Sequence, residues 1–186
     1  MHNRHSNGIS VVPHRPEWQQ QARDIVTALT SLLQGVRVEA IEHVGSTSVP
    51  GLAAKPILDI DVVVQRAGMT SVIAALEGAG YVHQGNLGVI DREAFTAPDE
   101  DPARNVYVCV VGTLHLRNHL AVRDILRRDG DLRERYGAVK LALAREPDMT
   151  IDRYLAGKSA MLQEILTLSD LTMQEKQAIL DLNTST

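Results

Sequence analysis

The sequence predicts an α+β fold, with a mixed sheet of about five strands packed with helices and a helical C-terminal part. Short β-branched runs at 38–44, 57–64 and 105–111 read as strands. Apolar residues at helical spacing mark 18–33, 69–79 and most of the chain beyond 116. Strands mixed with helices, followed by helices alone, make a layered sheet with helices against it. Of the 186 residues, 44% are hydrophobic but only 3% aromatic, so aliphatic side chains must supply the core.

Residues 1–8 (MHNRHSNG) carry no apolar signal core and read as a disordered leader. Residues 9–12 are a short strand candidate, stopped by Pro13. Pro16 suits the first turn of the helix over 18–33. Ile25, Leu29, Leu32 and Leu33 form its inner stripe, and Trp18 anchors it to the core. Gly35 ends that helix before the strand over 38–44. A small-polar turn, Gly45-Ser46-Thr47-Ser48, leads through Val49-Pro50-Gly51 to the strand over 57–64. The helix over 69–79 turns Val72, Ile73 and Leu76 inward and closes between Gly78 and Gly80. Strands over 81–84 and 88–95 meet at Gly85-Asn86, a tight-turn dipeptide. Residues 97–104 (APDEDPAR) read as a solvated acidic loop, and 105–111 (NVYVCVV) as a central or covered strand. Helices follow over 116–128, 132–144 and 151–168. Leu132, Tyr136, Val139 and Leu143 make the clearest stripe. A last short helix is expected over 172–182, with a fraying tail at 183–186. The division is therefore one domain over 9–170, with a short C-terminal helix and tail over 171–186.

Charge and composition exclude several function classes. A formal net charge of −4 argues against general affinity for nucleic acid or anionic membranes. A single cysteine, Cys109, rules out an internal disulfide and suits a reducing, cytoplasmic setting. No apolar run reaches the length of a membrane-spanning helix.

The chemistry concentrates in residues 41–64, IEHVGSTSVPGLAAKPILDIDVVV. Glycine lets the backbone approach a ligand closely, and exposed N–H groups at such a turn suit a phosphate. Asp59 and Asp61, two apart on a strand, project from one face with Cα atoms roughly 6.5–7 Å apart. Among apolar neighbours their charges need compensation. A hard divalent cation, Mg²⁺ or Mn²⁺, supplies it; arginines or water at a strand end also would. Lys55 reads either as a point charge for a triphosphate or as a surface partner of those aspartates. His43 reads better as a structural histidine than as a phosphate donor.

A Gly-Ser turn, a dozen residues and then D-x-D on a strand resembles the signature of the nucleotidyltransferase superfamily. The longer pattern E-H-x-G-S-T-x-V-P-G-L-x-A-K-P-I-x-D-I resembles the GrpB family. The resemblance implies a nucleotidyltransferase-like fold. In it Gly45, Ser46 and Thr47 hold a nucleotide's phosphates, and Asp59 and Asp61 hold the metal. Active members add a third carboxylate from a neighbouring strand. The strand over 105–111 has no acid, which leaves Glu93 as the candidate, with Asp91 behind it. Many relatives carry His-x-His where this chain has Asn105 and Tyr107, a departure that bears on catalysis more than on binding. Arg123, Lys140 and Lys158 also resemble family positions. Of these, Arg123 and Lys158 are the expected phosphate-facing cations.

Three functions fit these residues. One is metal-dependent nucleotidyl transfer from a nucleoside triphosphate to an unknown acceptor. Another is binding of a nucleotide or related phosphorylated small molecule without turnover. GrpB domains also occur fused to dephospho-coenzyme A kinase, which links this reading to coenzyme A metabolism by analogy. The third, a scaffold with a degenerate site, sits badly with the intact turn and both aspartates.

Overall fold

Alternation along LDIDVVV divides one strand between two environments. The computed structural model describes residues 9–184; the expected leader lies outside them, as do the last two tail residues. Leu58, Ile60, Val62 and Val64 are at most 1% exposed and point to the main core. Each fully buried aliphatic side chain contributes roughly 1.5–3 kcal/mol by leaving water. Asp59 and Asp61 point to the other face. One period-two strand thus carries both the main core and the candidate chemistry.

In chain order the elements are α1 (Glu17–Leu32), β1 (Ala40–Val44), a single 3₁₀ turn (Ser46–Ser48) and β2 (Leu58–Val64). Next come α2 (Met69–Gly78), β3 (Val82–Gly85), β4 (Arg92–Thr96) and β5 (Arg104–Val110). The helices α3 (Leu114–Arg128), α4 (Gly130–Arg145), α5 (Ile151–Leu166) and α6 (Met173–Thr184) follow. The sheet runs β1-β2-β5-β4-β3. Only β2 and β5 pair in parallel, so the sheet is mixed, as expected. On one face, Trp18, Ala22 and Leu29 of α1 and Val72 and Leu76 of α2 close the core over β2 and β5. On the other, Leu116 of α3 packs on Val63 and Cys109. A further cluster ties Val49 and Leu52, just after the 3₁₀ turn, to Leu126, Tyr136 and Ile165 of α3, α4 and α5. This packing brings the helical part up to the turn. No helix among the described residues is long and apolar enough to cross a membrane.

Local chemistry sets the helix ends. Asp129 accepts from the Leu132 amide at 3.0 Å to start α4, and Thr150 accepts from the Arg153 amide at 3.2 Å to start α5. The inner stripe of α4 runs through Leu132, Tyr136 and Lys140, all buried, while Val139 and Leu143 are only half-buried.

Two expected elements differ. Residues 9–12 make no strand; only Val12 bridges Ala54, through two 2.9 Å backbone bonds. Pro13 lacks the N–H that would continue the ladder. The β3–β4 connection is not a two-residue turn at Gly85-Asn86, since β4 starts only at Arg92. The Asn86 side chain accepts from the Gly88 amide at 2.9 Å, a local turn that competes with strand pairing. Arg66 also pairs with Asp91 and fixes the far end of that loop.

Candidate functional site

The Gly45-Ser46 turn, the start of β2 and the inner side of α5 enclose a cleft. Gly45 has φ 70° and ψ −175°, a conformation essentially restricted to glycine. A Cβ there would lie 2.3 Å from Asp59 Oδ2, so glycine is what admits the carboxylate beneath the turn. The Ser48 hydroxyl donates to the Gly45 carbonyl at 2.6 Å. Arg127 donates to the Ser48 carbonyl through Nε at 3.1 Å and Nη2 at 2.8 Å. His43 Nε2 meets the Thr47 hydroxyl at 3.0 Å. Burial first, then Arg127 and Arg123, lower the His43 pKa to about 4. His43 is thus a neutral strut under the turn, the structural role expected of it.

Two cavities, of about 140 and 280 Å³, share Ser46, Asp59 and Lys158 in their walls. Thr47, Lys55 and Asn105 complete much of the smaller; Gly45, His119 and Arg123 line part of the larger. All of the expected phosphate-facing residues therefore meet at one cleft, but they are not equally free. Arg123 donates to Glu42 at 2.6 Å, to Asp124 at 2.7 Å and to the His43 carbonyl at 3.2 Å. Its charge is spent on the framework. Lys158 lies over the Tyr154 ring, 5.2 Å from its centroid. Burial, offset in part by Asp59, lowers its pKa to about 8.

Lys140, expected to face the pocket less than Arg123 and Lys158, lines neither cavity but reaches the turn. It is 1% exposed, and its ammonium donates to the Ser46 hydroxyl at 2.8 Å, not to a carboxylate. Burial, then the charge of Lys158, hold its pKa well below the usual lysine range. Its spacing four residues after Tyr136 placed it on the inner helix face. Its 4.6 Å approach to the Tyr136 ring follows from that spacing.

The two aspartates share a sheet face but not an environment. Asp59 lines both cavities and accepts from Asn105 Nδ2 at 2.8 Å. Burial pushes its carboxyl above the usual range, against the Asn105 bond and the His119 charge. Asp61 lines neither cavity and is fully buried. Its Oδ2 meets His119 Nδ1 at 2.8 Å, while Oδ1 has no hydrogen-bond partner. Burial alone would lower the His119 pKa, but the bond to Asp61 and its charge raise it. Two carboxylates on one sheet face, one of them lining the cleft, are a donor set that fits a divalent cation.

Glu93 is not part of this group. Antiparallel pairing sets Glu93 opposite Val108, on the α1–α2 face, while Asp61 lies beside Tyr107. Residues directly paired across strands share a face, so Glu93 points away from both aspartates. It binds His83 at 2.6 Å instead. Asp91, behind Glu93 in the sequence, pairs with Arg66. A third carboxylate does stand on the aspartate face, but on β1: Glu42 pairs directly with Asp61 and is held by Arg123.

A model of the GrpB protein family matches residues 8–168. The chain belongs to the GrpB family. A UPF0157 protein of Halalkalibacterium halodurans is 34% identical over 170 residues, covering 90% of this GrpB chain and 86% of that protein. A dephospho-CoA kinase of Mycolicibacterium paratuberculosis is 29% identical over 84% of this chain, which spans only 44% of the kinase. Among solved structures, GrpB from Enterococcus faecalis superposes with a TM-score of 0.72 at 31% identity, over 91% of this chain and 97% of that one. The Cid1 poly(U) polymerase with Mg and 3'-dATP bound superposes at 0.59 and 15% identity, over 82% of this chain and 50% of that one. The nucleotidyltransferase-like fold is thus shared across this GrpB chain, in the α+β form expected.

Proposed function

We propose that this GrpB chain binds a nucleoside triphosphate together with Mg²⁺ or Mn²⁺ in the cleft between the Gly45-Ser46 turn and α5. The observation that carries the reading is Lys140, a buried ammonium whose hydrogen bond goes to a serine hydroxyl at the edge of the cleft. Burial disfavours the charged form of this amine, and a phosphate at Ser46 would favour it. Lys158 and Lys55 add positive charge from the cleft walls. Gly45 admits the Asp59 carboxylate directly beneath the turn, so a cation on Asp59 would lie close to a phosphate at Ser46. Asp59 would hold the cation, joined by Asp61 once His119 releases Oδ2. When bound, the cation neutralises phosphate charge and polarises phosphorus–oxygen bonds.

A second reading, nucleotidyl transfer, is favoured by Glu42 on the aspartate face. An acceptor oxygen or nitrogen would form its bond to the α-phosphorus as the bond to the bridging oxygen breaks. Pyrophosphate would leave with the electron pair, and a carboxylate would take the acceptor's proton. Asn105 at the β5 position beside Asp59 favours binding without turnover, because it offers an amide where an acid would serve.

Thermal unfolding with ATP, GTP, CTP, UTP, dephospho-coenzyme A and coenzyme A, each with and without Mg²⁺ or Mn²⁺, tests the proposal. The coenzyme A ligands address an accessory role, since related segments occur within dephospho-CoA kinases. A ligand at about a hundred times its Kd stabilises by roughly 2.7 kcal/mol. The expected result is a metal-dependent shift that Asp59→Asn abolishes. Lys140→Met should weaken binding about 10- to 100-fold, the loss of one charge-assisted hydrogen bond. No shift with any ligand overturns the nucleotide reading.

A further inference from the structure

Around Asp61, three donors of different chemistry converge. Asp61 of β2, Cys109 of β5 and His115 of α3 place one oxygen, one sulfur and one nitrogen within 4.8 Å of one another. In a tetrahedral site, Zn–S of about 2.3 Å and Zn–N and Zn–O near 2.1 Å set ligand atoms roughly 3.5 Å apart. Movements of about 1 Å would close the group on an ion. We propose that Asp61, Cys109 and His115 form a site for a tetrahedral transition-metal ion, Zn²⁺ by donor type, with water in the fourth position.

Two independent observations point to a missing ligand. Asp61 is 0% exposed, yet its Oδ1 has no hydrogen-bond partner, and a buried carboxylate oxygen is costly to leave so. His115 Nε2 is likewise buried and unpartnered. Both orphaned atoms belong to residues of the same three-residue group. His119 holds Asp61 Oδ2 at 2.8 Å, which fixes the carboxylate and leaves Oδ1 as its free oxygen. Hydrogen-bonded support of this kind orients a ligating carboxylate. Soft thiolate and imidazole donors select zinc over the hard cations of a phosphate site. The Cys109 proton leaves to solvent as the metal–sulfur bond forms.

The site shares Asp61 with the cation proposed for the cleft, but not Asp59, which lines the cleft. It would hold Asp61 rigid beneath the cleft, whatever the cleft takes.

Cobalt substitution tests it directly, because Cys109 is the only cysteine in the chain. Full-length protein, stripped with chelator, is titrated with Co²⁺ and then Zn²⁺. The expected result is one equivalent of Co²⁺ with tetrahedral visible bands and a thiolate-to-cobalt charge-transfer band, all displaced by Zn²⁺. Metal held by His2 and His5 alone would give no thiolate band. Cys109→Ser should remove that band, and His115→Ala, at a less buried position, should weaken metal uptake by about tenfold or more. Circular dichroism confirms that each variant is folded. Asp59→Asn should leave the cobalt spectrum unchanged even where it abolishes a nucleotide shift, which separates the two sites. Absence of a charge-transfer band in the wild-type protein, or its persistence at equal affinity in folded His115→Ala, overturns the proposal.

Discussion

The two faces of the sheet use the same strands for opposite ends. Toward α1 and α2, β2 and β5 present Leu58, Ile60, Val62, Val106 and Val108, all at most 1% exposed. Toward α3, the alternate residues are Asp59, Asp61, Asn105, Tyr107 and Cys109. The first face carries the stability that lets the second hold buried charge. Its aliphatic packing needs no partners beyond shape. The second is a chain of specific pairs: Asn105 on Asp59, His119 on Asp61, Arg123 on Glu42 and Lys140 on Ser46. Removing a member of the first face costs volume. On the second, it strands a charge.

The comparison breaks most severely if a charge is moved across. Val62→Asp puts a carboxylate one residue from Asp61 but on the apolar face, where Val62 is 0% exposed. With no partner there, the cost is several kcal/mol. At about 2–4 °C per kcal/mol for a chain of this size, the melting temperature should fall by roughly 10 °C or more. A small shift would mean that the apolar face admits water. His119→Ala comes next. It leaves Asp61 buried without its imidazole partner and should cost about 3–5 kcal/mol by chemical denaturation, with an unchanged m-value.

Lys140→Met sharpens the contrast through pH. Burial lowers the folded pKa of Lys140 below its unfolded value. Between those two values the unfolded state binds more protons, so wild-type stability rises with pH across the window. Below the folded pKa the full penalty of the buried ammonium applies. Lys140→Met should therefore gain most over wild type near neutral pH, and the gain should shrink as pH climbs toward about 10.4, the ordinary lysine value. Melts from pH 7 to 10.5 check this; a difference that stays constant with pH would show that packing, not charge, sets the effect.

Much of this was legible because it is periodic. The β2 alternation placed Asp59 and Asp61 on one face, and the Tyr136–Lys140 spacing put both on the inner side of α4. The His115 and His119 pair was equally legible and went unused: four apart on a helix, they share a face, and their rings lie 4.0 Å apart. Other features depend on contacts no local pattern encodes. That Asp61 is sealed while Asp59 lines the cleft depends on α3, whose Leu116 packs on Val63 and whose His119 meets Asp61. Strand phase was a further blind spot. Ala94 and Phe95 are both buried, so β4 shows no clean alternation, and only its pairing with β5 decides which way Glu93 points.

Glu93 therefore supplies the smallest effect and the most direct test of which face it serves. It is half-buried and bonded to His83, which stacks on Phe95 at the sheet edge. Partly exposed pairs of this kind are worth about 0–1 kcal/mol. Glu93→Gln keeps the shape and a hydrogen bond, so the melting temperature should move by no more than roughly 2–4 °C. Nucleotide-dependent shifts, with or without metal, should match wild type, because the sheet itself lies between Glu93 and the cleft. If Glu93→Gln instead abolished a metal-dependent shift that Asp59→Asn also abolishes, the two carboxylates would have to act on one ligand. The β4–β5 register forbids that without rotating the strand, so such a result would break the two-face account at its root.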